Sequence, residues 1–471
     1  MSEFIEKDTA NVDEMGVESI SKLLIKFSVP AIIGMMCTAA QNIINRIFVG
    51  QMVGTDAISA LVVCFPIFII FLAISMLIGI GGTTLTALKL GEQKHEEAEV
   101  LLGQSTILIF TTIVIAGILT YIFADPILVF SGASDPVVFA YAHSYLKIES
   151  LGLILACLSS GLNNFIRVEG NPRTAMLTQI ISCMVVILAN YFFVVRLALG
   201  IEGAALGNIV GSAVGLLWVL YYFRPQSKSF MKIRFKNFKL QAALVKSILI
   251  LGIPACLMQL ASSLQNLVMN RVMDAYGGSA ALAAVGIVMS LSSIIIMPMI
   301  GLNQGSQPIL GYNYGACNYK RVKRTLFLAA LMATVYSCIT FVILEVFADS
   351  LVSIFGSDKD KEVLEMAAYA LRVFFLALPF IGAPMICGSY FQASGKPIQS
   401  TIINLSRQVL VYIPALVILP SIFGLNGAWF AGPVSDIASF IICMTMTFFA
   451  MRTLNKKMAY QKYRPEPDKI N

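Results

Sequence analysis

The chain repeats the stretch Val29-Pro30-Ala31 as Ile253-Pro254-Ala255, 224 residues later. The same landmarks follow each copy in the same order, namely Gln41-Asn42 and Gly54 in the first half and Gln265-Asn266 and Gly278 in the second. The offset stays within one residue of 224 as far as Gly203 and Gly427. An ordered series at a nearly constant offset indicates that the chain consists of two copies of one unit.

The composition places both copies in a membrane. Hydrophobic residues make up 58% of the chain and charged residues 13%, whereas soluble proteins carry about 25% charged residues. A membrane-spanning helix needs about 20 mostly apolar residues. Twelve segments meet that requirement: 22–49, 56–80, 100–124, 137–165, 174–196, 203–223, 244–274, 280–310, 323–348, 363–391, 398–420 and 425–450. We therefore predict an all-α polytopic membrane protein.

Six predicted helices fall in each copy, so both copies enter the membrane from the same side. Two lobes related by a pseudo-twofold axis along the membrane normal follow from this arrangement. We assign the chain as a 1–21 N-terminal segment, a 22–223 N-lobe, a 224–243 basic linker, a 244–450 C-lobe and a 451–471 tail.

Basic residues collect on one side of the predicted helices. The linker, the turn after helix eight and the tail hold most of them: Arg224, Lys228, Lys232, Arg234, Lys236, Lys239, Lys320, Arg321, Lys323, Arg324, Arg452, Lys456, Lys457, Lys462 and Arg464. The loops on the other side are mainly acidic, with Asp56, Asp125, Asp135, Glu202, Asp349 and Asp358. Because basic loops remain in the cytoplasm, we predict cytoplasmic termini and a multi-pass protein of the bacterial cytoplasmic membrane. The basic loops are expected to meet anionic lipid rather than nucleic acid.

The sequence offers no enzyme site. Nine cysteines are dispersed without the spacing of a metal site, and the two histidines, His95 and His143, have no metal-binding neighbours in sequence. The sequence contains no predicted strand followed by a Walker motif, which would indicate an ATP site. We therefore predict no catalytic residue, no cofactor and no resident metal, although a sodium site with unknown ligands stays open. Any pumping would draw on an ion gradient.

Few charged residues lie at bilayer depth. Glu149 in helix four and Asp436 in helix twelve are the acids, and a charge at such depth is costly enough that it tends to face a cavity or a partner. Each is a candidate for ion coupling. For Glu149 the alternatives are an ion pair with Lys147 or Arg372, or a helix that starts later. For Asp436 the alternative is a local polar contact, and Arg407 in helix eleven is a partner that Asp436 would satisfy.

Amide side chains form a second group at bilayer depth. They occur mainly in helices one, seven and eight: Gln41, Asn42, Asn45, Gln265, Asn266, Asn270, Asn303, Gln304 and Gln307. Such residues either hydrogen-bond between helices as structural contacts or line a substrate path. We predict the second role, and we add Arg407 to the cavity candidates.

Several motifs resemble those of the multidrug and toxic compound extrusion (MATE) family, in particular its MepA-like bacterial branch. They are Asn45-Arg46-Ile47-Phe48-Val49-Gly50-Gln51, Arg167-Val168-Glu169-Gly170-Asn171-Pro172, the run from Gly301 to Gly315, and Gly424-Leu425-Asn426-Gly427. The resemblance covers about residues 20 to 450, and the run in helix eight is its most specific part.

The resemblance implies two six-helix lobes around a central cavity, which export cationic, amphipathic drugs in exchange for protons or sodium ions. Many members have Asp where Asn45 stands, and Leu-Asp-Pro where this chain has Ala189-Asn190-Tyr191. Asn190 therefore joins the cavity candidates rather than the coupling candidates. An amide cannot bind and release a proton, so either Glu149 or Asp436 takes over the coupling or the coupling differs.

We therefore predict an antiporter, acting as a monomer, whose lobes rock about a site near the midplane. A flippase for a lipid-linked precursor is the alternative. It would need a strongly cationic cavity, and Arg46, Arg196, Arg271 and Arg407 are few and dispersed. An intramembrane enzyme would need a nucleophile with a base, or a metal cluster, at bilayer depth.

Overall fold

The computed structural model describes residues 13–131, 135–227, 229–354 and 361–463. These residues are helical and include no β-strand, so the predicted all-α class is confirmed. Among the residues used to predict orientation, Lys228, Asp358 and Arg464 lie outside the described ranges, as do parts of the N-terminal segment and the tail.

The N-lobe contains six long helices. They are α1 (Ile20–Met52), α2 (Thr55–Gly91), α3 (His95–Ile122), α4 (Pro136–Val168), α5 (Pro172–Asn190) and α6 (Gly200–Tyr222). A short helix, Ala124–Phe130, connects α3 to α4, and a π-helical segment, Tyr191–Arg196, extends α5. Proline occupies the first turn of both α4 and α5, where its missing N–H costs no helical hydrogen bond.

The C-lobe repeats this plan with two interruptions. A helix over Ala242–Gly315 contains α7 and α8, which are residues 242–277 and 279–315 on either side of Gly278. Then come α9 (Tyr319–Ser353), α10 in two pieces (Lys361–Phe374 and Gly382–Ala393), α11 in two pieces (Pro397–Leu405 and Tyr412–Phe423) and α12 (Leu425–Tyr463). A 3₁₀ turn, Leu378–Phe380, interrupts α10, and a π-helical segment, Ser406–Leu410, interrupts α11. The sequence predicted unbroken helices at both places.

Eleven helices within the described residues are long and apolar enough to cross a membrane. The 74-residue helix over Ala242–Gly315 counts once among them, but Gly278 has φ 59° and ψ −153° and divides it into two spans. Gly54, at the matching repeat position between α1 and α2, also has positive φ, at 118°. The twelve predicted spans and their division into two six-helix lobes are therefore confirmed.

The lobes contact each other in one half of the bundle, next to the linker and the start of α1; we call this side the linker face. A Cβ atom on Gly91 of α2 would lie 2.0 Å from the carbonyl oxygen of Tyr312, and one on Gly315 of α8 would lie 2.1 Å from that of Leu88. Because the two contacts exchange under the repeat offset, they lie about the pseudo-twofold axis. Only glycine allows the backbones this close.

In the other half of the bundle the lobes separate. Asn42 and Arg46 of α1 and Asn270 and Arg271 of α7 are exposed there. Within the described residues, the hydrogen bonds that side chains make between the C-lobe and the N-lobe or its N-terminal segment all lie near the linker face. The molecule is therefore closed at the linker face and open toward the opposite face.

Candidate functional site

A cavity of about 270 Å³ lies inside the C-lobe. Its wall combines amides and hydroxyls with flexible apolar side chains, including Gln259, Ser262, Gln265, Asn266, Met258, Met289, Phe374, Met385, Asn404, Arg407, Gln408, Tyr412 and Asp436. Helices α7, α8, α10, α11 and α12 supply this wall, which we call the C-lobe chamber. Methionine and aromatic side chains adapt to varied apolar shapes, and the amides fix polar groups by hydrogen bonds.

An ion pair lies in the wall of the C-lobe chamber. Nε of Arg407 donates to Oδ1 of Asp436 at 2.8 Å, and the side chains are 30% and 8% exposed, respectively. The partnership that the sequence suggested for Arg407 is therefore confirmed. Among the residues that line the chamber, Arg407, Tyr412 and Asp436 are the only titratable ones.

The backbone around this pair is held by serine hydroxyls. Arg407 lies in the π-helical segment of α11, and its carbonyl oxygen accepts a hydrogen bond from Oγ of Ser435. The hydroxyls of Ser406 and Ser439 lie 2.8 Å apart. These contacts fasten α11 to α12, so the side chain of Arg407 is carried by a fixed backbone.

The N-lobe contains a carboxylate of a different kind. Glu149 is 6% exposed and lies about 20 Å along α4 from its start at Pro136. Nδ2 of Asn208 lies 3.4 Å from its Oε2 atom and also donates to the hydroxyl of Tyr145. No described cation contacts Glu149.

The alternatives that the sequence left open for Glu149 are wrong. Arg372 instead bonds to Asp349 at 2.7 Å, and the ammonium of Lys147 lies over the ring of Tyr121 at 5.5 Å. The helix does not start later than predicted, because α4 begins at Pro136. Glu149 is a buried carboxylate at bilayer depth whose described contacts are neutral.

The amides of α1 and α5 meet within the N-lobe, away from the C-lobe chamber. Nδ2 of Asn190 donates to Oδ1 of Asn45 at 3.0 Å. The Oδ1 atom of Asn190 is buried without a described partner and faces Gly207, where an added Cβ would lie 1.8 Å away. Gln41 is half-buried and Asn42 exposed on the same helix. The side-chain carbonyl oxygens of these two amides are ligands that a hard cation accepts, but neither amide supplies the negative charge that would balance a sodium ion.

A second, smaller cavity of about 50 Å³ lies between the lobes near the linker face. Arg167 of α4, 4% exposed, reaches into this cavity and donates to the side-chain oxygens of Gln304 in α8 and Asn164. Gln307 lies 3.5 Å from the hydroxyl of Thr84 across the same contact. In the sequence, Arg167 is recognisable only as part of a motif. Its partners in the other lobe cannot be predicted there, because they depend on how the lobes pack.

The predicted cavity residues therefore fall into three groups rather than one. Gln265, Asn266 and Arg407 line the C-lobe chamber together with Asp436. Gln304 and Gln307 line the cavity between the lobes. The remaining candidates line neither cavity: Gln41, Asn42, Asn45, Asn190, Asn270 and Asn303.

The residues before α1 fasten the linker face. Met15, Val17 and Glu18 offer their carbonyl oxygens to the guanidinium of Arg321 in α9. Nδ2 of Asn313 in α8 also donates to the carbonyl oxygen of Met15, at 2.9 Å. Residues 13–18, which we call the N-terminal strap, therefore connect the N-lobe helix α1 to the C-lobe. No motif in the sequence indicates this connection.

The linker is fastened to the N-lobe in turn. Glu169, which follows α4, accepts hydrogen bonds from the hydroxyl of Ser229 at 2.6 Å and from the amide of Phe230 at 2.7 Å. Burial raises the pKa of Glu169 to about 7, although these hydrogen bonds act in the opposite direction. Gln104 of α3 donates to the carbonyl oxygens of Asn237 and Lys239.

Comparisons with known proteins agree with this architecture. The family model described as MatE matches twice, at residues 30–192 and 254–418, once in each lobe. The multidrug export protein MepA of Staphylococcus haemolyticus is 28% identical over 447 residues, 94% of this chain and 96% of that protein. The FAD transporter of Shewanella oneidensis is 26% identical over 428 residues, 90% of this chain and 93% of that protein.

Solved structures share the fold. A MOP superfamily transporter from Pyrococcus furiosus superposes with a TM-score of 0.90 at 22% identity, covering 95% of this chain and 99% of that one. The outward-facing conformation of a multidrug resistance MATE family transporter gives a TM-score of 0.88 at 22% identity, covering 94% and 98%. Because the family model covers most of both lobes, the chain belongs to the MatE family of multi-pass membrane transporters.

Proposed function

We propose that this protein is a secondary active antiporter of the cytoplasmic membrane that exports cationic or amphipathic organic molecules in exchange for protons or sodium ions. The observation that carries the proposal is the C-lobe chamber, which is amphipathic, contains one acid, and lies in a molecule open to one face only. If the basic linker is cytoplasmic, the open face is the external one and the structure is the releasing state.

Glu149 is our candidate for the coupling residue. Leaving an ionised carboxylate buried without a countercharge is strongly unfavourable, and its described contacts are neutral. A proton or a sodium ion from the external side would remove this cost. Asp436 already has a countercharge in Arg407. We therefore assign Asp436 to substrate binding rather than to ion coupling.

The division of tasks is supported by the separate positions of the two acids. Glu149 belongs to the N-lobe interior and Asp436 to the wall of the C-lobe chamber. Coupling then requires that the two lobes change their contact together, as in a rocking movement about the midplane that opens the linker face.

The test uses purified full-length protein in lipid vesicles loaded with a fluorescent organic cation. A proton gradient and a sodium gradient are imposed separately, with matched membrane potential. We expect one of the two gradients to drive transport and its collapse to stop it. Transport that ignores both gradients would contradict antiport.

A second candidate cargo has one specific observation in its favour. Arg407 bonds to Asp436 through Nε alone, and the rest of its guanidinium has no described hydrogen-bond acceptor, so an anionic group in the chamber could reach it. One relative is named an FAD transporter. The same vesicles should therefore be tested with FAD, and gradient-driven FAD transport without cation transport would favour this candidate.

A further inference from the structure

We propose that Arg407 occupies the cation subsite of the C-lobe chamber and that a cationic substrate binds by displacing it from Asp436. Arg407 is then an internal competitor and sets the affinity for positively charged cargo. The inference rests on the proposed export function and adds to it the identity of the cation subsite and the residue that controls access.

The geometry of the pair suits an exchange. Arginine and carboxylate often form two parallel hydrogen bonds, but here one bond, from Nε to Oδ1 at 2.8 Å, joins them. The exposures of 30% for Arg407 and 8% for Asp436 put the arginine on the chamber side. A cation entering the chamber therefore meets Arg407 first, and it takes the place of Arg407 at Oδ1 of Asp436 only when that side chain moves.

The backbone lets the side chain move alone. π-Helical segments occur mostly at functional sites, and Arg407 lies within one. Its carbonyl oxygen is held by Ser435 and the neighbouring Ser406 by Ser439. These bonds involve the backbone and the neighbouring side chain, so a change of rotamer at Arg407 breaks only the ion pair.

Charge balance explains why the exchange is one for one. Asp436 is the only acid lining the chamber, and removing its partner without replacement would leave a buried, uncompensated carboxylate. A monocation supplies Asp436 with the countercharge that it loses when the side chain of Arg407 turns away. Phe374 lines the same chamber and offers an aromatic face that attracts an organic cation.

The test measures equilibrium binding of tetraphenylphosphonium, a lipophilic monocation, to full-length protein in lipid nanodiscs. The variants are R407Q, D436N and the double variant R407Q/D436N. Removing the competitor should tighten binding about tenfold in R407Q, and removing the acid should weaken it about tenfold in D436N, in the range typical of coupled sites. The double variant should bind as D436N does, because Arg407 acts only through Asp436.

Two further variants complete the experiment. R271Q removes an exposed arginine of the same lobe and should bind like the wild type. R407M keeps an unbranched side chain and removes the charge, so it replaces R407Q if that variant is unstable, and it should also bind more tightly. Binding that is unchanged or weaker in both Arg407 variants would overturn the inference, as would a double variant that binds like R407Q.

The outcome can be separated from that of the proposed function, because binding is measured without any gradient. If tighter binding in R407Q accompanies transport that no gradient drives, antiport fails and the exchange at Asp436 stands. If gradient-driven transport occurs but R407Q does not tighten binding, the exchange fails alone.

Discussion

The N-lobe and the C-lobe turn their backbones at the same repeat positions but place their charges at different ones. The described glycines with positive φ form three pairs at the repeat offset, namely Gly54 with Gly278, Gly170 with Gly395, and Gly200 with Gly424. These positions end helices or connect them, and positive φ favours glycine there. The turns of the ancestral unit have therefore been kept in both copies.

The acids show the opposite behaviour. Glu149 corresponds to Phe374 in the C-lobe, and Asp436 corresponds to Ser212 in the N-lobe. Arg407 corresponds to Ser182, whose hydroxyl bonds to the carbonyl oxygen of Gly211 between α5 and α6. Each lobe therefore has an acid where the other has an uncharged side chain. Duplication therefore supplied the frame, and each lobe acquired its own buried acid; our proposal gives coupling to the acid of the N-lobe and cargo recognition to that of the C-lobe.

The largest expected effect comes from removing the acid of the N-lobe. In E149Q the side chain keeps its size and its hydrogen bond to Asn208 but can no longer exchange a proton or neutralise a sodium ion. Gradient-driven export in vesicles should fall by more than about tenfold, a typical scale for coupling between two sites. Tetraphenylphosphonium binding should stay within a few-fold of the wild type, because the C-lobe chamber is untouched.

D436N provides the matched comparison for E149Q, since it removes the acid of the other lobe. It should weaken cation binding about tenfold, whereas E149Q should lose only the response to the gradient. Vesicle transport and nanodisc binding, measured on both variants, separate the two losses. Equal loss of binding in both variants would contradict the division of tasks between the lobes.

A second prediction concerns two matching segments, one that leads into α1 of the N-lobe and one that leads into α7 of the C-lobe. Each segment is bound by a side chain of the opposite lobe. Arg321 of the C-lobe binds three carbonyl oxygens of the N-terminal strap, and Gln104 of the N-lobe binds the corresponding residues 237–241. In R321A, amide hydrogen exchange at the strap should accelerate about tenfold or more, because each lost hydrogen bond contributes about 1 kcal/mol. In Q104A the linker should respond in the same way.

Hydrogen-exchange mass spectrometry on protein in nanodiscs measures both segments in one experiment. R324A is the control, because Arg324 is exposed on the same helix as Arg321 and should change neither segment. A strap that exchanges as slowly in R321A as in the wild type would show that other contacts hold it, and the symmetry between the two segments would be lost.

The sequence allowed the helices, the repeat and the pairing of Arg407 with Asp436 to be predicted, because each depends on local pattern or on the need of a buried charge for a partner. The same rule does not apply to Glu149, since Lys147 and Arg372, the partners weighed as the alternative to ion coupling, make their contacts elsewhere. The cross-lobe contact of Arg167 depends on how two separate lobes meet. The contact between the lobes cannot be predicted from the hydrophobic periodicity of the sequence.

The π-helical segments could not be predicted either. They lie after Asn190 and around Arg407, at positions that do not correspond in the repeat. Neither segment contains a proline or a glycine, although Pro414 follows the second segment. The amides illustrate a further limit. Their depth in the bilayer could be predicted from the sequence. Whether they face the C-lobe chamber, the contact between the lobes or another helix depends on how each helix is rotated.

The smallest expected effect concerns Glu169, which holds the linker and has Ser394 as its C-lobe counterpart. The pKa of Glu169 is raised to about 7, so between its ordinary value and pH 7 the folded protein binds more protons than the unfolded one. Its contribution to stability is therefore full at low pH and is lost as the pH rises toward 7, by no more than about 3 kcal/mol. In E169Q the side chain stays neutral and this pH dependence should disappear.

The measurement is the apparent melting temperature in nanodiscs between pH 5 and pH 8, for wild type and E169Q. Their difference should shift by a few degrees in favour of E169Q as the pH rises. Glu92 is the control: burial raises its pKa, but the bonds from Lys94 and Lys89 outweigh burial, so the pKa lies below its ordinary value. E92Q should therefore show a constant difference over the same range. A constant difference for E169Q as well would mean that Glu169 stays ionised against the linker, held by the hydroxyl of Ser229 and the amide of Phe230.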